Sequence, residues 1–393
     1  MRFYLAPLEG VTGHVFREAY DTYFHDVDKY FTPFLSANDH LNFKTKREIG
    51  LLGFDTLGTG LGVQNATQPV LPQSHAQGAP LVPLHAPLVP LHAPLVPQIL
   101  GNEADKVIAL IEEIASILDV DEINLNFGCP SGTVTGKNRG AGIFKDLIAM
   151  DDFLDRLFAK MDSWGRGCGV KNDKNEPLTP SPMVHSGPRV RISLKTRIGW
   201  ADEKEWEKIV RIYADYPFSE IIVHPRVRAD QYSKPCRMEA FAYALSQLPQ
   251  PLCYNGEIHT VEDYEKLCKL FPTLDCVMLG RGIVKNPFLI SDIRRTEEAR
   301  AQEGKREAET DAGTPAEQPC RTPEELKRRR DFVARLEEQY LEEMQCEEHA
   351  VMRMKEFWLY FGASFPEYDK ALKAIRKAKS LSEYRLATLQ IPY

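Results

Sequence analysis

Short apolar runs recur along the first three quarters of the chain, most followed by a stretch with apolar residues three or four apart. Met1–Leu5, Asp121–Asn126, Arg189–Lys195, Glu220–His224, Leu252–Asn255 and Cys276–Leu279 read as strands. Val15–Asp21, Lys106–Leu118, Glu203–Tyr213, Arg237–Ser246 and Val261–Leu270 read as helices. Strands alternating with helices predict βαβ units around a parallel sheet, an α/β architecture. Side chains capable of chemistry stand just after these strands: Asn126 and Cys129, Lys195, His224, Asn255, and Gly280 with Arg281. In a closed (β/α)8 TIM barrel such positions converge on one mouth, whereas an open sheet would splay the outermost apart. The pattern therefore predicts the barrel.

Two stretches interrupt it. Residues 81–94 write the phrase Leu-Val-Pro-Leu-His-Ala-Pro twice, and Leu95-Val96-Pro97 begins it again. Proline at that density predicts an extended loop, and His85 and His92 read as passengers of the duplication. Residues 162–188, rich in Gly, Pro, Asn and Ser, predict a second surface loop. Without both, residues 1–295 amount to roughly the ~250 usual for such a barrel. From 296 to 322 large apolar residues almost vanish, as in a charged linker or a frayed helix. Beyond it, Pro323–Gln345, Ala350–Phe361, Pro366–Lys379 and Ser382–Leu389 carry helical spacing and predict an all-α bundle over 323–393.

Composition narrows the class. Of 393 residues 43% are hydrophobic and 27% charged, which excludes a disordered or fibrous chain. A net charge of −7 argues against a generally basic, nucleic-acid-coating protein without excluding a local basic face. No run reaches a membrane span, and the first ten residues lack the apolar core of a signal peptide. Eight scattered cysteines form no Cys-x-x-Cys pair, so neither a disulfide framework nor a metal site is expected. A cytoplasmic, monomeric enzyme is the resulting expectation.

The sharpest motif is Asn124-Leu-Asn-Phe-Gly-Cys-Pro130, followed by glycines at 132, 136, 140 and 142. A thiol at a strand-end turn is either accessible and reactive or an incidental core residue. No Cys–His–Asn order accompanies it, so acyl transfer is not indicated, and an acid role would require a neutral thiol. Lys195 and His224 are each the first polar side chain after an apolar strand. Asn255-Gly256-Glu257 and Gly280-Arg281-Gly282 are either tight turns or a phosphate site of backbone N–H groups with an arginine beside them. No P-loop is present, and no Gly-x-Gly-x-x-Gly follows the first strand.

Together, Ala6-Pro7-Leu8-Glu9-Gly10-Val11-Thr12, Gln98-Ile-Leu-Gly-Asn102, the Cys129 motif, Lys195-Thr-Arg-Ile-Gly199, His224-Pro-Arg226, Asn255-Gly-Glu257 and Gly280-Arg-Gly282 resemble the tRNA-dihydrouridine synthase family in order and spacing. The resemblance implies a TIM barrel holding FMN, reduced by NADPH, that saturates the C5=C6 bond of particular tRNA uridines. It implies that Cys129 protonates C5, and that Pro7, Leu8, Glu9 and Gln98 contact the flavin ring. Lys195 would sit at the N1/O2 edge, His224 by the ribityl chain, and Asn255, Gly256, Glu257, Gly280 and Arg281 at the phosphate. Asn126 would face the uracil. The chain departs from the family pattern at Leu8, where methionine is common, and in the repeat before Gln98.

A uridine must leave the RNA stack to enter a barrel mouth, and the rest of the RNA then needs a grip. From Met352 onward eight Lys and Arg face four carboxylates, and Lys370, Lys373 and Lys377 share one helical face. With Arg353 they are the expected tRNA contacts. The alternative is a small-molecule flavin reductase on the same barrel, of dihydroorotate-dehydrogenase type, for which this basic appendage has no use. A third reading, an RNA-binding protein that has lost catalysis, would require an altered Cys129 or Lys195; neither is altered.

Overall fold

A computed structural model of the chain describes residues 1–38, 91–164, 190–307 and 321–393. His85, with most of 81–94, most of 162–188 and part of 296–322, lies outside the described residues.

Eight parallel strand positions close into a ring. They are β1 (Arg2–Leu5), β2 (Lys29–Phe31 and Leu35–Ser36), β3 (Leu95–Val96 and Gln98–Leu100), β4 (Glu122–Phe127), β5 (Arg191–Arg197), β6 (Ile221–His224), β7 (Leu252–Tyr254) and β8 (Cys276–Leu279). The ladder runs β3–β4–β5–β6–β7–β8–β1–β2, and β2 returns to β3 through Tyr30↔Leu95, Phe31↔Val96, Leu35↔Ile99 and Ser36↔Leu100. From Phe31 to Leu35 is one residue more than from Val96 to Ile99, so β2 bulges. Opposite the bulge stands Pro97, which has no N–H to give; its carbonyl accepts from Asn124 N instead. Sequence pattern alone does not reveal β2 and β3, because each is short and broken. The barrel nevertheless closes through them.

Val96, just past the expected loop of 81–94, joins Tyr4, Phe31, Ile222, Cys253, Cys276 and Met278 in the barrel interior. His92 is no passenger. Its imidazole and backbone N–H both bind the buried carboxylate of Asp21, which also accepts from Tyr30 Oη at 2.9 Å. The end of the repeat is thereby docked on the barrel. At the N-terminal floor Lys29 bridges Glu122 (2.9 Å) and Glu220 (3.4 Å), and Tyr4 Oη donates to Glu220. Charges on that face serve stability, leaving the opposite end for chemistry.

The helices α1 (His14–Phe24), α2 (Ala104–Ile117), α3 (Gly132–Thr135), α4 (Leu147–Ser163), α5 (Glu205–Ala214), α6 (Met238–Gln247), α7 (Val261–Leu270) and α8 (Arg281–Lys285) follow the strands. Next, α9 (Leu289–Glu307) runs on as helix into the stretch expected to be a linker. Arg321 clasps Asp292 at 2.6 Å and Arg295 clasps Glu325 at 2.6 Å, holding the two sides of that stretch together. C-terminal to it lie α10 (Pro323–Met344), α11 (Glu347–Phe361), α12 (Asp369–Lys377) and α13 (Leu381–Thr388). Thr322 and Glu325 form a capping box with Pro323 at the first turn, which starts α10 sharply. These helices share one continuous apolar core with the barrel. Phe332 of α10 is its pin, meeting Phe16, Tyr20, Tyr23 and Phe24 of α1 and Phe357 of α11 edge-on.

Asp26 beside this seam gives a pH prediction. It accepts from Tyr20 Oη (2.9 Å) and Ser291 Oγ (3.0 Å), and burial pushes its carboxyl up to about 6. The folded state thus binds this proton more tightly than the unfolded chain does. Its stabilisation is complete below the ordinary carboxyl range and is lost as pH rises through about 6. Relative to wild type, Asp26→Asn should gain about 2 kcal/mol between pH 4 and 8 by urea denaturation. An unchanged difference across that window would refute the assignment.

Candidate active site

The thiol loop is built by β4. Its alternation turns Asn124 and Asn126 inward, where they meet Gln98 of β3: Gln98 Nε2 donates to Asn124 Oδ1 (2.8 Å) and Asn126 Nδ2 to Gln98 Oε1 (2.7 Å). Asn126 Oδ1 then accepts from the backbone N–H groups of Gly128 (3.0 Å) and Cys129 (2.9 Å). The chain after the strand is thus clamped by a side chain two residues before the turn. Ala141 N closes the loop from the other side by donating to Cys129 O (3.0 Å). Only glycine fits at 140: φ is +56°, and a Cβ would come within 2.8 Å of Cys129 O.

Cys129 is half-buried, and burial raises its thiol above the ordinary range; Glu9 adds to the rise, while Ser131, Arg197 and Lys195 oppose it. At neutral pH it is an S–H that can give a proton.

Around the thiol opens a cavity of about 330 Å³ reached by Pro7, Leu8, Glu9, Gln98, Asn126, Lys195 and His224. Thr12 shapes the β1 end of it, its hydroxyl accepting from Leu8 N and donating to Ala6 O. A second cavity of about 80 Å³ adjoins through Pro7, Leu8, Lys195 and His224, and is lined further by Asn255, Gly256, Gly280 and Arg281. Glu257 lines neither. Its carboxylate bridges Arg226 (2.8 Å) and Arg281 (3.1 Å), and although burial opposes it, these two guanidiniums hold it below the ordinary carboxylate range. A carboxylate repels phosphate, so its part is to aim two arginines.

The electrostatics of the mouth favour an anion. Burial, helped by Arg197, pushes Lys195 down to about 8, so it remains an ammonium at neutral pH. His224 is pushed well below its usual value by burial, then by Arg197, Lys195, Arg226 and Arg281. Arg226 Nη1 stands 3.1 Å from His224 Nε2. Since arginine only donates, Nε2 is the acceptor and the imidazole is neutral. Four cations thus converge on a neutral histidine. At Gly280 a Cβ would approach Ala6 to 3.3 Å, so the missing side chain keeps the floor open between β8 and β1. These residues fit a planar group ending in a phosphate.

Several lining residues escape sequence reasoning. Arg197 stands two positions after Lys195 on the same face of β5, and period-two alternation could have found it. Arg197 also ties the thiol loop to β6, donating to Gly128 O (3.0 Å) and Val227 O (3.1 Å). Tyr232 takes Arg281 (4.5 Å) and Arg197 (5.4 Å) against its ring. Tyr360 enters the larger cavity from α11, more than a hundred residues away, and no local signal marks it. Arg353 pairs with Glu356 (2.8 Å) against Gly10 at the rim, while Lys370, Lys373 and Lys377 stand exposed on α12 and line neither cavity. Lys373 is held by Asp369 at 2.5 Å. Among the described residues no helix is long and apolar enough to cross a membrane.

Among curated relatives, the probable tRNA-dihydrouridine synthase of Helicobacter pylori (strain J99) is 26% identical over 198 residues, 50% of this chain and 52% of that protein. The tRNA-dihydrouridine(16) synthases of Ralstonia nicotianae (27%, 50% and 52%) and Pseudomonas syringae pv. tomato (28%, 53% and 55%) match similarly. The chain spans about half the length of the curated relatives it matches. A solved structure, a variant of NCR from Zymomonas mobilis, superposes over 75% of this chain and 86% of that one, with a TM-score of 0.40 at 9% identity, too loosely to carry a conclusion. The family model described as dihydrouridine synthase (Dus) matches residues 67–162 and 182–355, more than half of the chain. The chain belongs to the dihydrouridine synthase family.

Proposed function

We propose that this chain is an FMN-dependent tRNA-dihydrouridine synthase that uses NADPH to reduce the C5=C6 bond of a tRNA uridine in the cytoplasm, acting as a monomer. The observation that carries the reading is a protonated thiol and an ammonium on one cavity, next to a cationic recess. FMN, when bound, supplies the hydride that uracil C6 accepts. Pro7, Leu8, Glu9 and Gln98 would border its ring, Lys195 would give the positive charge its reduced form needs, and neutral His224 would lie toward the ribityl chain. Asn255, Gly256, Gly280 and Arg281 would hold the phosphate, with Glu257 fixing Arg281 and Arg226 in place.

Cys129 donates its proton to C5, and the thiolate left behind regains one from solvent. Asn126, whose oxygen is spent on the loop, keeps that thiol at the strand end and turns its remaining N–H toward the base. The division of labour follows the chain: residues 1–295 hold the reaction, 323–393 face the tRNA through Arg353, Lys370, Lys373 and Lys377, and 296–322 join them.

Purified protein should carry one FMN, bleach with NADPH under anaerobic conditions, and form dihydrouridine in unmodified tRNA by mass spectrometry. Protein that takes up no flavin, or that bleaches with NADPH yet leaves tRNA unchanged, would overturn the reading at the cofactor or at the substrate respectively.

A further inference from the structure

The cations best placed around the thiol loop are not those of the C-terminal helices. After Gly199, where φ is +148°, the chain turns and presents Trp200 at the rim of the barrel mouth. Lys145 Nζ lies 4.7 Å from the indole centroid, and the Arg228 guanidinium lies 4.6 Å from it. Each is also tethered to the backbone around the thiol: Lys145 Nζ donates to Thr135 O (2.6 Å), and Arg228 Nε to Pro130 O (3.3 Å), the residue after Cys129. Arg139, on the same loop as Lys145, is bound to Asn102 (3.2 Å) and Asn38 (3.2 Å), and Lys137 is exposed two residues before it.

Among the described residues none of these four cations meets a carboxylate. The carboxylates nearest in sequence are already committed: Asp146 caps α4 through Ile148 and Ala149, Glu205 accepts from Trp200, Ala201 and Asp202, and Asp230 accepts from Val227 N and pairs with Arg237. On the C-terminal helices, by contrast, Arg353, Lys373 and Arg385 each carry an acidic partner. Two like charges gathered on one indole repel each other, and a bridging anion relieves that repulsion.

We infer that Lys145 and Arg228, gathered on Trp200, together with Arg139 of the same thiol loop, form a phosphodiester-binding rim that grips the RNA backbone next to the target uridine. This deepens the proposed function and rests on it. RNA is the occupant that fits, because these cations are tethered to the thiol loop and are of the kind that position a phosphate chain without reading its bases. A nucleotide drawn into the mouth leaves its neighbours' phosphates at this edge. The C-terminal helices then stand across the mouth as a second wall rather than as the main grip.

The test compares the Lys145→Glu/Arg228→Glu double variant with a Lys266→Glu/Lys269→Glu control on exposed α7. Binding of unmodified tRNA is titrated from 50 to 300 mM salt, and the rim variant should weaken on the order of tenfold or more at low salt, with the log–log slope lowered by about 1 to 2. NADPH bleaching of the flavin and the melting temperature should stay as in wild type. If reversal unfolds the protein, Lys145→Gln/Arg228→Gln should show the same loss of slope. Wild-type affinity and slope in both rim variants would overturn the inference, as would a rim that binds polyglutamate or phosphatidylserine vesicles more tightly than tRNA. Wild-type protein that binds tRNA with this rim dependence yet makes no dihydrouridine would instead sink the proposed function.

Discussion

Cys129→Ala is expected to keep its flavin and its NADPH bleaching while losing dihydrouridine formation by roughly two to four orders of magnitude, the usual worth of a positioned acid. Removing the Sγ leaves Asn126, Gln98 and the 128–129 backbone bonds in place, because none of them uses the thiol. The loss should therefore fall on kcat with tRNA and spare the reductive half-reaction. Cys129→Ser should fail nearly as badly, since a hydroxyl is a far weaker acid. The pH profile adds a constraint. Burial raises the thiol and pushes Lys195 down to about 8, so the alkaline limb of kcat/KM belongs to Lys195 losing its charge. Turnover by Cys129→Ala at the wild-type rate would remove the acid assignment outright.

Phe332→Ala should cost about 3–5 kcal/mol of stability, the range for deleting a fully buried aromatic ring. The ring is 0% exposed and lies 5.3 Å from Phe24 and 5.8 Å from Phe16, so α1 and α11 both lose a partner. Because α11 carries Tyr360 into the cavity, the same change should raise KM for tRNA before it affects flavin binding. Phe332→Leu, which retains most of the volume, should lose much less. A urea midpoint for Phe332→Ala within about 1 kcal/mol of wild type would show that the C-terminal helices are only loosely seated.

Six of the eight strand positions and most helices were legible in the hydrophobic pattern, because a strand buried on both faces leaves a short apolar run that needs no distant information. Two strands were not. Lys29–Phe31 and Leu35–Ser36 are too short to show a period, and Pro97 splits the run from Leu95 to Leu100. Register against neighbours, rather than local propensity, made them strands. The candidate site divides in the same way. Lys195 and His224 stood out because each is the first polar side chain after an apolar strand, and Cys129 because its thiol sits in a strand-end turn motif. Glu257, by contrast, was placed beside the phosphate from its motif, whereas its carboxylate turns out to brace two arginines.

By itself the chain determined its α/β alternation, the strand-end location of its reactive groups, and enough ordered motifs to mark its family. These properties are short-range: periodicity, turn chemistry and the spacing of a few residues settle them. Only the tertiary structure decided that the ring closes through broken strands, that His92 is docked and not idle, and that Tyr232 and Tyr360 line one cavity. It also decided that Arg385 is neutralised by Glu337 and that Lys145 and Arg228 gather around Trp200. Pairing between charges is a matter of ångströms in space, and residues scores of positions apart acquire that proximity only when the core packs.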